Sequence, residues 1–118
     1  IASIWHPSLV CREAYEAAIR PGGGFGGLFS IELHGGEPAA TAFYDALEVS
    51  KGPSLGTNFS LVSPYTLLAH YQELDWAAER GAPRNLVRIW VGLEDPEDLE
   101  GRFCKAFAAI LRGSAENG

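Results

Sequence analysis

Glycine and proline divide this chain into short segments, and the segments alternate between two hydrophobic periodicities. Residues 27–33 and 86–91 place apolar side chains at every second position, which is typical of a strand with one buried face. Residues 38–49 place them at helical spacing. In chain order the spacing predicts a short strand over 2–5, a helix over 8–19, a strand over 27–33, a helix over 38–49, a strand over 54–62, a helix over 63–80 with an interruption or bend, a strand over 86–91, and a helix that begins at Asp95 and ends at Gly113.

This order predicts a two-layer α/β domain in which helices cover mainly one face of a small sheet. Because helices separate the strands, the spacing alone leaves both parallel and antiparallel pairing open. The chain has 118 residues, which is enough for one hydrophobic core. We therefore expect one domain over residues 1–112, followed by a short polar tail over residues 113–118.

Charge and hydropathy argue against two classes of partner. Asp and Glu outnumber Lys and Arg by 15 to 9, so the chain offers no basic stripe to a nucleic acid backbone. The longest apolar run, residues 106–111, is far shorter than the roughly 20 residues that span a membrane. The chain also contains no methionine, so we expect it to be a processed product or a piece of a longer polypeptide.

The two cysteines, Cys11 and Cys104, lack the C-x-x-C spacing of a zinc site or a redox pair. Cys104 lies within the apolar pattern of the last helix, where we expect a small buried thiol. This cysteine usage favours a reducing, cytoplasmic setting, and a single disulfide is the alternative.

Other motifs that could carry chemistry have simpler explanations. The glycines of residues 22–27 form G-x-G-x-x-G, but a helix precedes them and a strand follows, which reverses the dinucleotide-binding order. The histidines lack metal-ligand spacing, and helix capping explains most of the acidic cluster around Asp95, so no metal site is predicted. The two lysines, Lys51 and Lys105, lack the surroundings that would make either one a nucleophile.

Arg88 is the residue best placed for chemistry. In its strand Val87 and Ile89 lie on the apolar face, so Arg88 points the other way, beside the ring of Trp90. An arginine at the centre of a strand can bind a carboxylate through two parallel hydrogen bonds. The alternative is an exposed arginine on the open face of a sheet. Ser54, after a Gly-Pro loop, is a weaker candidate, because a serine there is usually a turn residue.

Several segments, taken in order and spacing, resemble the C-terminal domain of the Cys/Met-metabolism pyridoxal-phosphate (PLP) enzymes. The segments that carry this resemblance are Ser54-Leu55-Gly56, Ser60-Leu61, Leu86-Val87-Arg88, Val91-Gly92-Leu93-Glu94-Asp95 and the run over residues 24–33. A narrower set of segments, residues 51–61, 64–71 and 73–76, resembles the fungal cystathionine gamma-synthase branch of that family.

The resemblance implies the small C-terminal domain of a fold-type I PLP enzyme, with a mostly antiparallel sheet. The Schiff-base lysine and the other residues that bind PLP would belong to a large preceding domain, which is absent from this chain. Within this chain the resemblance assigns the substrate α-carboxylate to Arg88 and places Ser54 near the same carboxylate. It implies no catalytic, cofactor-binding or metal-binding residue here, so the chain alone should be inactive.

The resemblance also implies a transferase of trans-sulfuration, which performs γ-replacement on O-acetylhomoserine with cysteine as nucleophile and is a homotetramer when full length. Two departures leave the nucleophile open: residues 57–59 read Thr-Asn-Phe where many relatives have Gly-Val-Glu, and Trp90 stands where they often have serine. One alternative is a related fungal enzyme of secondary metabolism that uses another nucleophile. The other is a non-catalytic domain that binds an amino acid or carboxylate, or that mediates an interaction.

Overall fold

A five-stranded sheet organises the fold in the computed structural model, which describes the backbone of residues 1–117 and the side chains up to Gly113. The strands are β1 (Ser3–Trp5), β2 (Leu28–Glu32), β3 (Ser50–Lys51), β4 (Leu61–Ser63) and β5 (Val87–Trp90). Their spatial order is β1-β2-β5-β4-β3. The pairings are antiparallel except for the parallel contact between β3 and β4, which confirms the mostly antiparallel sheet.

Helices occupy the connections between the strands except the one between β3 and β4, and one more helix follows β5. They are α1 (Arg12–Ala18), α2 (Gly36–Ala46), α3 (Tyr65–Ala69), α4 (Leu74–Glu79) and α5 (Pro96–Asn117), with a 3₁₀ turn at Tyr71–Glu73 between α3 and α4. Asp95 accepts a hydrogen bond from the backbone amide of Asp98 at 3.2 Å, which confirms it as the cap of α5. Within the described part of the chain, no helix combines the length and the hydropathy that crossing a membrane requires.

The core lies between one face of the sheet and the helices α2 and α5. Strand β5 contributes Val87 and Ile89 to this face, and Ile31 and Val62 lie beside them on the neighbouring strands. Phe43 of α2 is fully buried and packs against the aromatic rings of α5. Burial of each such side chain contributes about 1.5–3 kcal/mol to the stability of the fold. It also determines which face of each strand points away from the helices. The predicted two-layer arrangement is confirmed.

The predicted strand over residues 54–62 is wrong for most of its length. Residues 52–60 form a loop, which we call the 52–60 loop, and the strand is limited to β4. Gly56 has a φ of +79°, a conformation that interrupts an extended strand. The apolar residues at alternate positions, Leu55 and Phe59, are exposed rather than buried, so their spacing does not reflect a sheet face.

Three smaller expectations are also corrected. The region predicted as one bent helix over 63–80 forms two short helices and a 3₁₀ turn. Helix α5 continues through Gly113 to Asn117, because a glycine ends a helix only where it adopts the left-handed conformation. The Cys104 thiol is exposed, since that position lies on the outer side of α5 rather than in its apolar stripe.

Candidate carboxylate-binding site

Arg88 lies near the centre of the sheet, on the face opposite α2 and α5. Its Cα partners across the two neighbouring strands are Ser30 of β2 and Ser63 of β4. Side chains of directly paired residues lie on the same face of a sheet, so the guanidinium is flanked by two small hydroxyl side chains. This arrangement confirms that the Arg88 side chain points away from the core.

Two neighbours hold the guanidinium group in place. The Arg88 Nη2 donates a hydrogen bond to the backbone carbonyl of Pro53, at the start of the 52–60 loop. The Arg88 Cζ lies 5.3 Å from the centre of the Tyr65 ring, within the range of a cation–π contact. Among the described residues, no carboxylate forms an ion pair with Arg88. Its positive charge is therefore available to a carboxylate from outside the domain.

Ser54 follows Pro53 directly, so the loop that contacts Arg88 also carries the second predicted residue to this side of the sheet. The Ser54 side chain is exposed, in a loop rather than in the strand predicted for it. The structure thus brings the two predicted residues to the same end of the loop. Whether the Ser54 hydroxyl contacts a ligand stays a prediction.

The remainder of the 52–60 loop is fastened to β5 and to the residues after it. The indole nitrogen of Trp90 donates to the Thr57 carbonyl at 2.8 Å, and the Leu93 amide donates to the Asn58 carbonyl at 2.8 Å. Backbone carbonyls pair with these donors, so the contacts set the position of the loop without depending on the side chains of residues 57 and 58.

Sequence reasoning missed a buried hydrogen-bonded group at the end of this loop. The amide of Ser60 donates to both carboxylate oxygens of Glu94, at 2.8 and 3.1 Å, and the Ser60 hydroxyl donates to one of them at 2.8 Å. The Gly92 amide donates to the Ser60 hydroxyl oxygen at 2.9 Å. We call these three residues the Glu94 clamp. Glu94 was interpreted as part of the acidic cluster that caps α5, but Asp95 provides the cap.

Hydrogen bonds within the clamp favour the ionised form of Glu94. Burial raises the pKa of this carboxyl, but hydrogen bonds from Ser60 and from its own amide, together with the charge of Arg102, outweigh that effect. The pKa of Glu94 is therefore lower than its ordinary value. A charged acceptor strengthens each hydrogen bond that it receives, so ionisation and loop attachment support one another.

The described residues do not by themselves form a site for a phosphate-bearing aldehyde cofactor. Such a site needs a lysine amine in a pocket with phosphate-binding donors. The Lys51 amine instead donates to the Leu47 carbonyl at 3.3 Å and lies 5.2 Å from the Tyr44 ring centre. Lys105 is exposed on α5. Nor does the described part of the chain contain a group of three His, Cys, Asp or Glu side chains suited to a metal ion.

The fold and the site together define a two-layer α/β domain whose Arg88 lies on the sheet face opposite α2 and α5, without an ion-pair partner among the described residues. Residues 1–108 match the family described as Cys/Met metabolism PLP-dependent enzyme, and the chain belongs to that family. PLP is the cofactor of this family, whose members act on small amino-acid substrates. The resemblance carried by the sequence segments is thereby confirmed.

Individual relatives support the same assignment. The chain is 60% identical over 95 residues to cystathionine gamma-synthase of Neurospora crassa, and the match covers 80% of this chain and 15% of that protein. It is 45% identical over 111 residues to the cystathionine gamma-synthase-like protein ankD of Aspergillus thermomutatus, covering 93% of this chain and 20% of the relative. The chain therefore spans about a fifth or less of the length of these curated relatives.

A solved structure has the same fold. Cystathionine gamma synthase from Xanthomonas oryzae pv. oryzae, in complex with cystathionine, superposes with a TM-score of 0.81 at 29% sequence identity. The match covers 94% of this chain and 29% of that one. The fold described above therefore corresponds to one part of that longer chain.

Proposed function

We propose that this chain is the substrate-binding C-terminal part of a PLP-dependent transferase that performs γ-replacement on an activated homoserine, with O-acetylhomoserine as substrate and cysteine as nucleophile. The observation that carries the proposal is Arg88, which is held by Pro53 and Tyr65 and has no ion-pair partner among the described residues. PLP, when bound by the family's larger domain, supplies the electron sink for this chemistry. This chain supplies binding and orientation.

In this proposal the Arg88 guanidinium binds the α-carboxylate of the amino-acid substrate. One N–H group is occupied by the Pro53 carbonyl, and the others can form the two parallel hydrogen bonds that a carboxylate accepts. Binding at two points fixes the rotation of the substrate as well as its position. Holding the reacting carbon in a fixed orientation contributes a large part of the rate acceleration in enzymatic reactions. The Ser54 hydroxyl would add a third hydrogen bond to the same carboxylate.

The experiment is substitution of Arg88 in the full-length enzyme. Arg88→Ala should lower kcat/KM by an amount that corresponds to about 2–4 kcal/mol of activation free energy, because it leaves a desolvated carboxylate without its charged partner. Arg88→Lys should recover part of this loss, since an ammonium keeps the charge without the planar fork. Ser54→Ala should cost about 1 kcal/mol, the usual contribution of one hydrogen bond.

Arg84→Ala is the matched control, because Arg84 precedes the same strand but forms a surface ion pair with Glu37 at 3.6 Å. It should change kcat/KM by less than about twofold, as expected for an exposed pair. A loss below tenfold for Arg88→Ala, or equal losses at Arg84 and Arg88, would remove Arg88 from the proposed role.

The proposed division of the protein places residues 1–112 in the substrate-binding domain and PLP on a larger preceding domain of the same polypeptide, in a cytoplasmic homotetramer. Three apolar side chains near the loop support a covering partner: Leu55, Phe59 and Leu93 expose 49%, 45% and 84% of their surface. Exposed apolar clusters of this kind are typical of surfaces that another domain or subunit covers.

The nucleophile has a second candidate. Trp90 and the Thr57-Asn58-Phe59 run depart from the pattern of many relatives, and they favour a related enzyme that joins another nucleophile to the same homoserine-derived unit. Product analysis with O-acetylhomoserine and either cysteine or a carbon or nitrogen nucleophile distinguishes the two. Formation of cystathionine as the main product supports cysteine. Turnover of O-acetylhomoserine that cysteine does not accelerate supports the second candidate.

A further inference from the structure

The Glu94 clamp and Arg88 hold opposite ends of the same loop. The clamp fastens the 52–60 loop at Ser60, and the guanidinium of Arg88 donates a hydrogen bond to the Pro53 carbonyl at the other end. Strand β5 connects the two attachments, because it carries Arg88 and leads directly into Gly92 and Glu94. Loop and strand therefore form a closed frame that links the two attachments.

The clamp leaves the loop little freedom to move. Ser60 is only 1% exposed, and a Cβ built on Gly92 would lie 2.6 Å from both the Phe59 Cα and the Ser60 nitrogen. The backbones are thus in direct contact at this point. Three donors of the clamp are satisfied by the Ser60 hydroxyl oxygen and the Glu94 carboxylate, so a displaced loop would leave buried polar groups unpaired.

We propose that Glu94 is a positioning residue for substrate binding, and that it acts through Ser60 and the 52–60 loop on the orientation of the Arg88 guanidinium. This inference rests on the proposed role of Arg88 as the ligand of the substrate carboxylate. Glu94 itself does not touch the guanidinium: both of its carboxylate oxygens are directed to Ser60. Its charge holds the loop that presents the Pro53 carbonyl, and that carbonyl sets the rotation of the guanidinium fork.

The test uses Glu94→Gln in the full-length holoenzyme, with two ligands that differ only at the carboxylate. L-Norvaline has an α-carboxylate and no leaving group, and norvalinamide has an uncharged amide in its place. Binding of each is followed by titration of the cofactor's visible absorption. Glu94→Gln should weaken norvaline binding about five- to tenfold and norvalinamide binding less than twofold, and KM for the substrate should rise while kcat changes less than twofold.

Matched variants separate positioning from loss of folding. Ser60→Ala should reproduce the effect of Glu94→Gln, and Glu94→Asp, which keeps the charge, should recover part of it. Glu97→Gln, an exposed acidic residue in the first turn of α5, should leave both ligands unaffected. If Glu94→Gln does not yield a folded holoenzyme, Glu94→Asp and Ser60→Ala give the same comparison. Equal weakening of both ligands in these variants would overturn the inference, because a general loss of structure does not distinguish a carboxylate from an amide.

A double-mutant cycle distinguishes failure of this inference from failure of the proposed function. In an Arg88→Lys background, Glu94→Gln should have no further effect on norvaline binding, since the residue through which it acts is already altered. If Arg88→Lys weakens norvaline but Glu94→Gln adds its full effect on top, the positioning role is wrong and the proposed function stands. If Arg88→Lys leaves norvaline binding unchanged, the proposed function is wrong and this inference falls with it.

Discussion

Substitution of Gly92 by alanine should break the attachment of the 52–60 loop to β5. The new methyl group would lie 2.6 Å from the Phe59 Cα and the Ser60 nitrogen, and closer still to the Phe59 carbonyl carbon. This backbone must therefore move by at least about 0.8 Å to restore an ordinary contact of about 3.4 Å. A backbone cannot rotate away as a flexible side chain does. Crowding of this kind costs about 1–3 kcal/mol, and loosening of the hydrogen bonds at Ser60 adds about 1 kcal/mol or more.

We therefore expect Gly92→Ala to lower the free energy of unfolding of the chain by about 3 kcal/mol. In urea, with a slope of about 1.5–2 kcal/mol per molar, the unfolding midpoint should fall by about 1.5–2 M. Tryptophan fluorescence is a suitable signal, because the indole of Trp90 is hydrogen bonded to the same loop. The emission of the folded variant should also shift, since the Thr57 carbonyl moves away from the indole nitrogen.

Gly101→Ala is the matched control. A Cβ at Gly101 meets no atom within 4 Å, and the residue lies inside α5. Alanine there should stabilise the chain by about 0.5–1 kcal/mol, the difference between the two residues within a helix. If the free energy of unfolding of Gly92→Ala lies within about 0.5 kcal/mol of that of the unsubstituted chain, the close backbone contact at Gly92 and the clamp built on it do not exist as described.

Two further predictions concern the core and the acid stability of the chain. Phe43→Ala should destabilise the chain by about 3–5 kcal/mol because the ring is fully buried, whereas Phe59→Ala should cost less than about 1 kcal/mol, and equal losses in urea unfolding would contradict the assigned core. Because the pKa of Glu94 is lower in the folded chain than in the unfolded one, its contribution to stability is complete above about pH 5 and is lost as the pH falls below about 4.5. The free energy of unfolding, measured between about pH 6 and pH 3, should fall less steeply for Glu94→Gln than for Glu97→Gln. Parallel curves for the two variants would show that protonation of Glu94 is not linked to folding.

The sequence was most informative where one periodicity governs a whole element. The strands around Phe29 and Ile89, the helix around Phe43 and the cap at Asp95 were all predicted, because burial of one face or satisfaction of a helix end decides the local choice. The orientation of Arg88 followed from the same alternation, since its neighbours Val87 and Ile89 had to face the core.

The 52–60 loop was mispredicted because its conformation depends on contacts distant in sequence. Ser60 and Glu94 are 34 residues apart, and the Trp90–Thr57 hydrogen bond spans 33. Alternating apolar residues there mimic a strand, although Leu55 and Phe59 face away from the core. Only Gly92 carried a local signal: a glycine directly after a strand often marks close approach by another backbone segment. Without knowledge of which strand lies beside the loop, that signal does not identify a partner.

A crystal structure of the full-length enzyme with an amino-acid substrate analogue bound would show directly whether Arg88 binds the substrate's α-carboxylate. We expect both carboxylate oxygens to lie within about 3.2 Å of the Arg88 guanidinium nitrogens, with the Pro53 carbonyl still in place. A carboxylate bound by other residues, with Arg88 facing solvent or a protein carboxylate, would show that Arg88 does not have this role.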